Sequence, residues 1–193
     1  MYYEPGKIPH GLRYDPFKSC VVPRPIGWIS TRNRQGVDNL APFSQFTNVS
    51  FDPPMVMFSA NQTTDGRRKD TVVNAEQTGV FVWNMATYDL REAVNKSAEE
   101  LPPEIDEFEK VGLAKAEATR VNAPMVANSP VKFECELLQT VRIPGGGRMG
   151  TVDIVIGRVV AVHIDDAALT AEGKVDVLKL RPREDGLLRI HAG

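Results

Sequence analysis

The sequence predicts a mainly β protein, an antiparallel barrel that is closed or partly closed and carries a few helices. Two observations favour this fold class. Strand-like segments outnumber helical ones, and they lack the regular alternation of strands with long helices that a doubly wound parallel sheet requires. Two strand-like segments are also long: residues 131–137 alternate apolar and charged side chains, and residues 151–164 are apolar on both faces for much of their length.

Shorter elements precede these two strands. Strands rich in β-branched and aromatic residues are predicted at residues 24–31, 39–50, 55–59 and 80–85. Pro42 interrupts the second of them, and the prolines at 53 and 54 end it, because proline cannot continue a central ladder.

Three helices are predicted, at residues 70–78, 87–100 and 104–111. The first has Asp70 as its N-cap and Gly79 as its stop. The last lies within residues 101–122, a charged stretch bounded by prolines. We expect this stretch to be an excursion over the surface.

Composition excludes several functional classes. The chain has 193 residues, with 23 Lys and Arg against 25 Asp and Glu, so its formal charge of -2 gives no electrostatic reason to expect a nucleic-acid or membrane partner. No apolar run approaches the ~18 residues of a transmembrane helix. Cys20 and Cys135 lie far apart and in no metal-ligand spacing. We therefore expect a single cytoplasmic domain over residues 1–193, with reduced thiols and no bound metal.

A basic segment precedes the first predicted helix. Arg67, Arg68 and Lys69 lead into Asp70 and Thr71. The first backbone N–H groups of a helix are unpaired and carry a positive partial charge, so this position attracts phosphate. The alternative is an ordinary solvated loop with an aspartate cap, and the segment by itself favours that alternative.

Small polar residues also occur inside strands that are otherwise apolar. They lie at residues 30–31 and 39–44, where they either bond the local backbone or face a polar ligand. The sequence contains no Ser-His-Asp elbow, P-loop or HExxH motif, and its three histidines are scattered, with His163 interpreted as structural. If the protein is an enzyme, an organic cofactor must supply the chemistry.

Five segments in the observed order resemble the flavin reductase-like, FMN-binding split-barrel family, and within it the flavoredoxin-like branch. These are PRPIGWIST (23–31), NLAPFSQF (39–46), DPPMVMFS (52–59), KDT (69–71) with Asn74, and GVFVWN (79–84). The resemblance covers residues 17–180. It implies a six-stranded antiparallel Greek-key barrel that forms a homodimer, with FMN in a groove near the subunit interface.

The resemblance also implies three groups of cofactor contacts. Ser30 and Thr31 would lie beside the cofactor. The isoalloxazine ring would lie along Asn39, Leu40, Ala41, Pro42, Phe43 and Ser44. The ribityl chain and phosphate would be held by Ser59, Ala60, Asn61, Arg67, Lys69, Asp70 and Thr71, with Lys69 as the principal phosphate partner.

The activity implied is that of an FMN-binding oxidoreductase that receives hydride from NADH or NADPH and passes electrons to a second acceptor. No side chain need act as acid or base, so no catalytic residue is predicted. One alternative is an electron carrier without nicotinamide turnover. Residues 147–150 favour it slightly, because many family members carry a histidine there and this chain has none. The other alternative is a split-barrel binding module that has lost its flavin.

Overall fold

A seven-stranded antiparallel sheet forms the centre of the protein in the computed structural model, which describes residues 1–146 and 149–185. In chain order the strands are β1 (Arg24–Pro25), β2 (Gly27–Arg32), β3 (Asp38–Phe43), β4 (Phe46–Phe51), β5 (Pro54–Asn61), β6 (Val80–Asn84), β7 (Lys115–Glu117), β8 (Pro124–Val126), β9 (Val131–Ile143), β10 (Val152–Ile164) and β11 (Glu184–Asp185). The helices are α1 (Pro16–Cys20), α2 (Asp70–Thr78), α3 (Arg91–Lys96), α4 (Glu107–Val111) and α5 (Val177–Leu180).

The central sheet has the strand order β3-β2-β6-β9-β10-β5-β4. Its two ends approach each other around the core, because Phe43 of β3 packs on Phe58 of β5 with ring centroids 4.8 Å apart. Gly157 is required where β10 crosses this core, since a Cβ atom there would lie 2.4 Å from the ring of Phe81. The antiparallel, mainly β prediction is confirmed.

One predicted strand is in fact two. The segment 39–50 divides after Phe43 into β3 and β4, which lie at opposite edges of the sheet. The sheet therefore has seven strands where six were expected. The connection between β9 and β10 contains the glycine-rich segment 145–150, of which residues 147–148 lie outside the described part of the chain.

The helices differ from prediction mainly at their starts. The range of α2 is confirmed, and Gly79 ends it in the left-handed conformation at φ 78°. Its N-cap, however, is Lys69 instead of Asp70, and the Lys69 side chain makes no capping hydrogen bond. The prediction of one helix over 87–100 is wrong in extent, because a short 3₁₀ turn at Tyr88–Leu90 comes before α3.

The segment 101–122 is not a surface excursion throughout. Phe108 of α4 is fully buried against Trp28 and Leu40, and Glu107 beside it is also buried. The helix begins at Glu107 because the Asp106 carboxylate accepts a hydrogen bond from the Phe108 N–H at 2.8 Å. A five-residue helix is too short to show an apolar stripe in sequence, so the pattern of charges concealed its buried face.

Within the residues that the structure describes, three apolar clusters make up the core. The largest lies within the curved sheet around Ile29, Phe58 and Phe81. The second lies between the sheet and α3 and α4, and the third lies beneath β8. In the part of the chain that the structure describes, no helix combines the length and the apolar character needed to cross a lipid bilayer.

Candidate functional site

Two adjoining cavities lie between the ends of β3 and β5 and the loop that precedes α2. The larger has a volume of about 560 Å³ and the smaller about 70 Å³. They share part of their walls, formed by Pro42, Phe43, Thr63, Lys69 and Glu100. The larger volume lies within the range of small-molecule and cofactor sites.

Most of the residues expected to contact a cofactor line these two cavities. Eleven of them do so: Asn39, Ala41, Pro42, Phe43, Ser44, Ser59, Ala60, Asn61, Lys69, Asp70 and Thr71. The structure thus brings together segments that lie about 30 residues apart in the sequence. The larger cavity is also lined by Gln45, Gln62, Thr64 and Met149, which sequence reasoning missed.

Ser30 and Leu40 line neither cavity. Both are fully buried: Ser30 Oγ donates to the Pro124 carbonyl at 2.5 Å, and Leu40 packs in the second apolar cluster. Their side chains face the side of the sheet that β8 and α4 cover. Alternate residues of a strand face opposite sides of a sheet, so a contact between either residue and a cofactor in these cavities would have to come from the backbone. That Ser30 lies beside the cofactor and that the ring lies along Leu40 both stay predictions.

Thr31 and Arg67 also line neither cavity. Thr31 is fully buried and accepts a hydrogen bond from Asn74 at 3.2 Å, so it supports the site from behind. Arg67 pairs with Asp65 within its own loop, at 2.8 Å. That Thr31 lies beside the cofactor and that Arg67 helps to hold its phosphate both stay predictions.

Glu107 joins α4 to the wall of the smaller cavity. Its carboxylate accepts hydrogen bonds from Asn39 Nδ2 at 3.0 Å and from the Leu40 N–H at 3.2 Å. Asn39 Oδ1 in turn accepts from Thr71 Oγ1 at 2.7 Å. Burial raises the pKa of Glu107 to about 7. This network fixes β3 and the first turn of α2 relative to each other, and no local signal distinguished Glu107 from its exposed acidic neighbours.

The three cations before α2 have different roles. Arg68 forms two hydrogen bonds to Glu76 at 2.7 Å and a third to Asp153 at 3.0 Å, so it anchors the loop to α2 and β10. Lys69 lines both cavities, and its Nζ lies 2.5 Å from Glu100 Oε1. The anchored loop therefore presents Lys69 to the site.

The chemistry of the site follows from this arrangement. One end holds the Lys69 ammonium, the Thr64 hydroxyl and the uncapped N-terminus of α2, which together suit an anionic group. The other walls of the larger cavity are mostly neutral hydrogen-bonding groups, such as Ser59 and Asn61, and apolar groups such as Phe43 and Ala60. Two further charged side chains, Lys18 and Glu100, also line it. Such walls suit a polar ligand with a planar body and an anionic end. Among residues 1–146 and 149–185, no group of His, Cys, Asp and Glu side chains could hold a metal ion.

Comparison with known proteins gives a consistent result. An uncharacterized protein of Aquifex aeolicus is 38% identical over 162 residues, which cover 84% of this chain and 80% of that protein. Nitrilotriacetate monooxygenase component B from Bacillus cereus superposes with a TM-score of 0.86 at 28% identity, covering 95% of this chain and 90% of that one.

A more distant match supports the fold alone. Flavoredoxin of Desulfovibrio vulgaris has a TM-score of 0.73 at 20% identity, covering 92% of this chain and 87% of that one. The family model described as "Flavin reductase like domain" matches residues 19–179. With its antiparallel split-barrel architecture, the chain therefore belongs to the flavin reductase-like family.

Proposed function

We propose that the protein is an FMN-dependent oxidoreductase and that the two adjoining cavities are its cofactor site. The observation that carries this proposal is the size and polarity of the larger cavity, which has a lysine at the start of a helix at one end and mostly neutral hydrogen-bonding and apolar groups along its other walls. The family assignment gives independent support. These features fit FMN because it has a phosphate at one end of a polar chain and a planar ring at the other.

Each wall of the site has a role in this proposal. Lys69 and Thr64 would bind the phosphate, and Ser59 with Asn61 would bind the ribityl hydroxyls. Segment 41–44 would lie along the ring. Its backbone N–H groups and neutral side chains would stabilise negative charge on the ring, and they do not change their own protonation state in doing so. Bound FMN would supply the redox chemistry, taking a hydride from NADH or NADPH and passing electrons to a second acceptor.

The test is an absorption spectrum of the purified protein, before and after incubation with FMN and removal of the excess. We expect a yellow protein whose flavin absorption bleaches when NADH or NADPH is added without oxygen. A protein that stays colourless after incubation with FMN would overturn the proposal. It would favour a split-barrel binding module that has lost its flavin.

The second candidate is an FMN-binding electron carrier without nicotinamide turnover. The absence of a histidine at residues 147–150 favours it. Stopped-flow mixing separates the two functions, because a carrier would bind FMN and accept electrons from dithionite but would not bleach with either nicotinamide.

We also propose that the protein is a homodimer, formed through an apolar groove of about 450 Å³. Phe46 stacks on Trp83 at this groove with ring centroids 5.3 Å apart, and Phe133 packs on Trp83 at a tilt of 40°. Phe51, on the same surface, is 86% exposed. Because one patch carries both a projecting apolar side chain and a groove, a second copy related by two-fold symmetry would fill both.

Light scattering during gel filtration tests the dimer. We expect a dimer for the wild type and a monomer for Phe51→Asp. Leu178→Asp is the control, because Leu178 is 89% exposed but lies outside the groove. A wild-type monomer would refute the proposal.

A cytoplasmic location is also proposed. Cys20, which is exposed, and Cys135, which is buried, are both unpaired in the structure, as expected in a reducing compartment. Cell fractionation with an antibody against the protein would test this location.

A further inference from the structure

We propose that Glu100 is an internal competitor of the ligand's anionic group: its carboxylate occupies the donors that a phosphate would use, so it weakens the binding of a ligand that ends in a phosphate and leaves a ligand without one almost unaffected. The inference rests on the proposed function, because it takes the Lys69 end of the larger cavity as the phosphate position. It adds a residue from a different part of the chain, located between α3 and α4, whose charge opposes binding of the cofactor.

The geometry of Glu100 is that of a bound anion. Its Oε1 contacts Lys69 Nζ at 2.5 Å, and its Oε2 accepts from Thr64 Oγ1 at 2.8 Å and from the Thr64 N–H at 3.3 Å. An ammonium, a hydroxyl and a backbone N–H are the donors that proteins use for phosphate oxygens. One carboxylate therefore occupies all three of these donors at the cationic end of the cavity.

These contacts are not local features of the chain. Glu100 is 31 residues from Lys69 and 36 from Thr64 in sequence, and it reaches them from the segment that follows α3. It lines both cavities, as Lys69 does. The hydrogen bonds from Lys69 and Thr64 lower the pKa of Glu100, so the group is an anion at neutral pH.

The carboxylate can also be displaced. Its side chain is 36% exposed, and ion pairs with that degree of exposure are weak. The segment that carries it belongs to no strand of the central sheet, so its movement breaks no strand pairing. A phosphate carries up to two charges against one for Glu100, so it competes well for Lys69 and Thr64. A flavin without phosphate has no group that replaces the carboxylate.

The predicted signature is a change in selectivity between FMN and riboflavin. In Glu100→Gln the negative charge is removed with little change in shape, so an incoming phosphate no longer displaces an anion. We expect FMN to bind about five-fold more tightly to this variant than to the wild type. Riboflavin binding should change less than about two-fold, because riboflavin leaves the Lys69 end unfilled.

The experiment measures dissociation constants of both flavins by quenching of flavin fluorescence at low ionic strength. Glu109→Gln is the matched control, because Glu109 is exposed on α4, lines neither cavity and gives the same change in net charge. We expect this control to bind both flavins as the wild type does. Circular dichroism melting curves establish that each variant is folded.

Two results would overturn the inference while leaving the proposed function intact. One is FMN binding that is unchanged or weaker in Glu100→Gln. The other is a gain for riboflavin equal to the gain for FMN. If neither flavin binds to any of the three proteins, the proposed function fails, and the inference fails with it.

Discussion

Lys69 is the cation that the loop before α2 directs into the candidate site, while Arg67 beside it is bound to Asp65. We expect Lys69→Ala to weaken FMN binding by at least about ten-fold, since a charge-assisted hydrogen bond contributes about 1.5–3 kcal/mol. Arg67→Ala, which removes an equal charge from the same loop, should change the dissociation constant less than about two-fold. Titration of each variant with FMN measures both values. Equal losses would show that the loop acts only through its total charge.

Glu107 is a second residue whose effect is local and measurable. Burial raises the pKa of Glu107 from 4.5 to about 7, so between these values the folded protein binds more protons than the unfolded chain. Its contribution to the free energy of unfolding is therefore present below pH 4.5 and decreases as the pH rises towards 7, by up to about 3 kcal/mol.

Glu107→Gln tests this assignment, because glutamine resembles the protonated acid and does not titrate. Urea unfolding at pH 4.5, 6 and 8 gives the free energy of unfolding for both proteins. We expect the difference between variant and wild type to move in favour of the variant as the pH rises. A difference that does not vary with pH would show that folding leaves the pKa of this carboxyl group unchanged.

At the scale of elements, Glu134 holds the segment before β8 against the long hairpin of β9 and β10. This fully buried carboxylate accepts hydrogen bonds from the N–H groups of residues 119–121, from the Thr119 hydroxyl and from His163 Nε2. The His163 contact, at 2.5 Å, gives that histidine a structural role. Burial alone would raise the pKa of Glu134, but these donors, His163 foremost, lower it to about 2.

We expect Glu134→Gln to lower the free energy of unfolding at pH 7 by about 3 kcal/mol, because an amide nitrogen would face backbone N–H donors. The contribution of Glu134 is present above pH 4.5 and is lost as the pH falls towards 2, so the difference from wild type should shrink in that range. Urea unfolding measures it. Glu136→Gln, at an exposed position of the same strand, is the control and should stay within about 0.5 kcal/mol of wild type.

At the scale of the whole molecule, neighbouring residues of one strand connect the two main apolar clusters. Ile29 of β2 belongs to the cluster within the sheet, and Trp28 beside it belongs to the cluster under α3 and α4. Trp83 reports on the first cluster and Trp28 on the second. Since β2 contributes to both, we propose that the chain unfolds as one cooperative unit.

Two single-tryptophan variants test whether the chain unfolds as one cooperative unit. In Trp28→Phe and in Trp83→Phe, the remaining tryptophan reports on one cluster, while far-ultraviolet circular dichroism reports on the whole chain. We expect the fluorescence and dichroism midpoints in urea to coincide within each variant. Midpoints that separate in either variant would show two units that unfold independently.

Local signals in the sequence determined much of this protein. Alternating polarity located β9, apolar runs located β5 and β6, and Gly79 marked the end of α2. These features depend on side chains a few residues apart, and their periodicity appears directly in the chain. The ordered motifs also gave the family and eleven of the residues that line the two cavities.

Tertiary structure alone decided which side chains of these segments enter the site. Ser30 and Leu40 face away from the cavities because β8 and α4 pack on the other side of their strands, and a strand alone does not specify its partner. Two acidic residues reach the site from distant parts of the chain. Glu107 lies 67 residues after Leu40, whose N–H donates a hydrogen bond to it, and Glu100 lies 31 residues after Lys69, with which it pairs. In the sequence both residues have acidic neighbours and nothing distinguishes them from these. Only the packing of distant elements buries Glu107 and brings Glu100 into contact with Lys69.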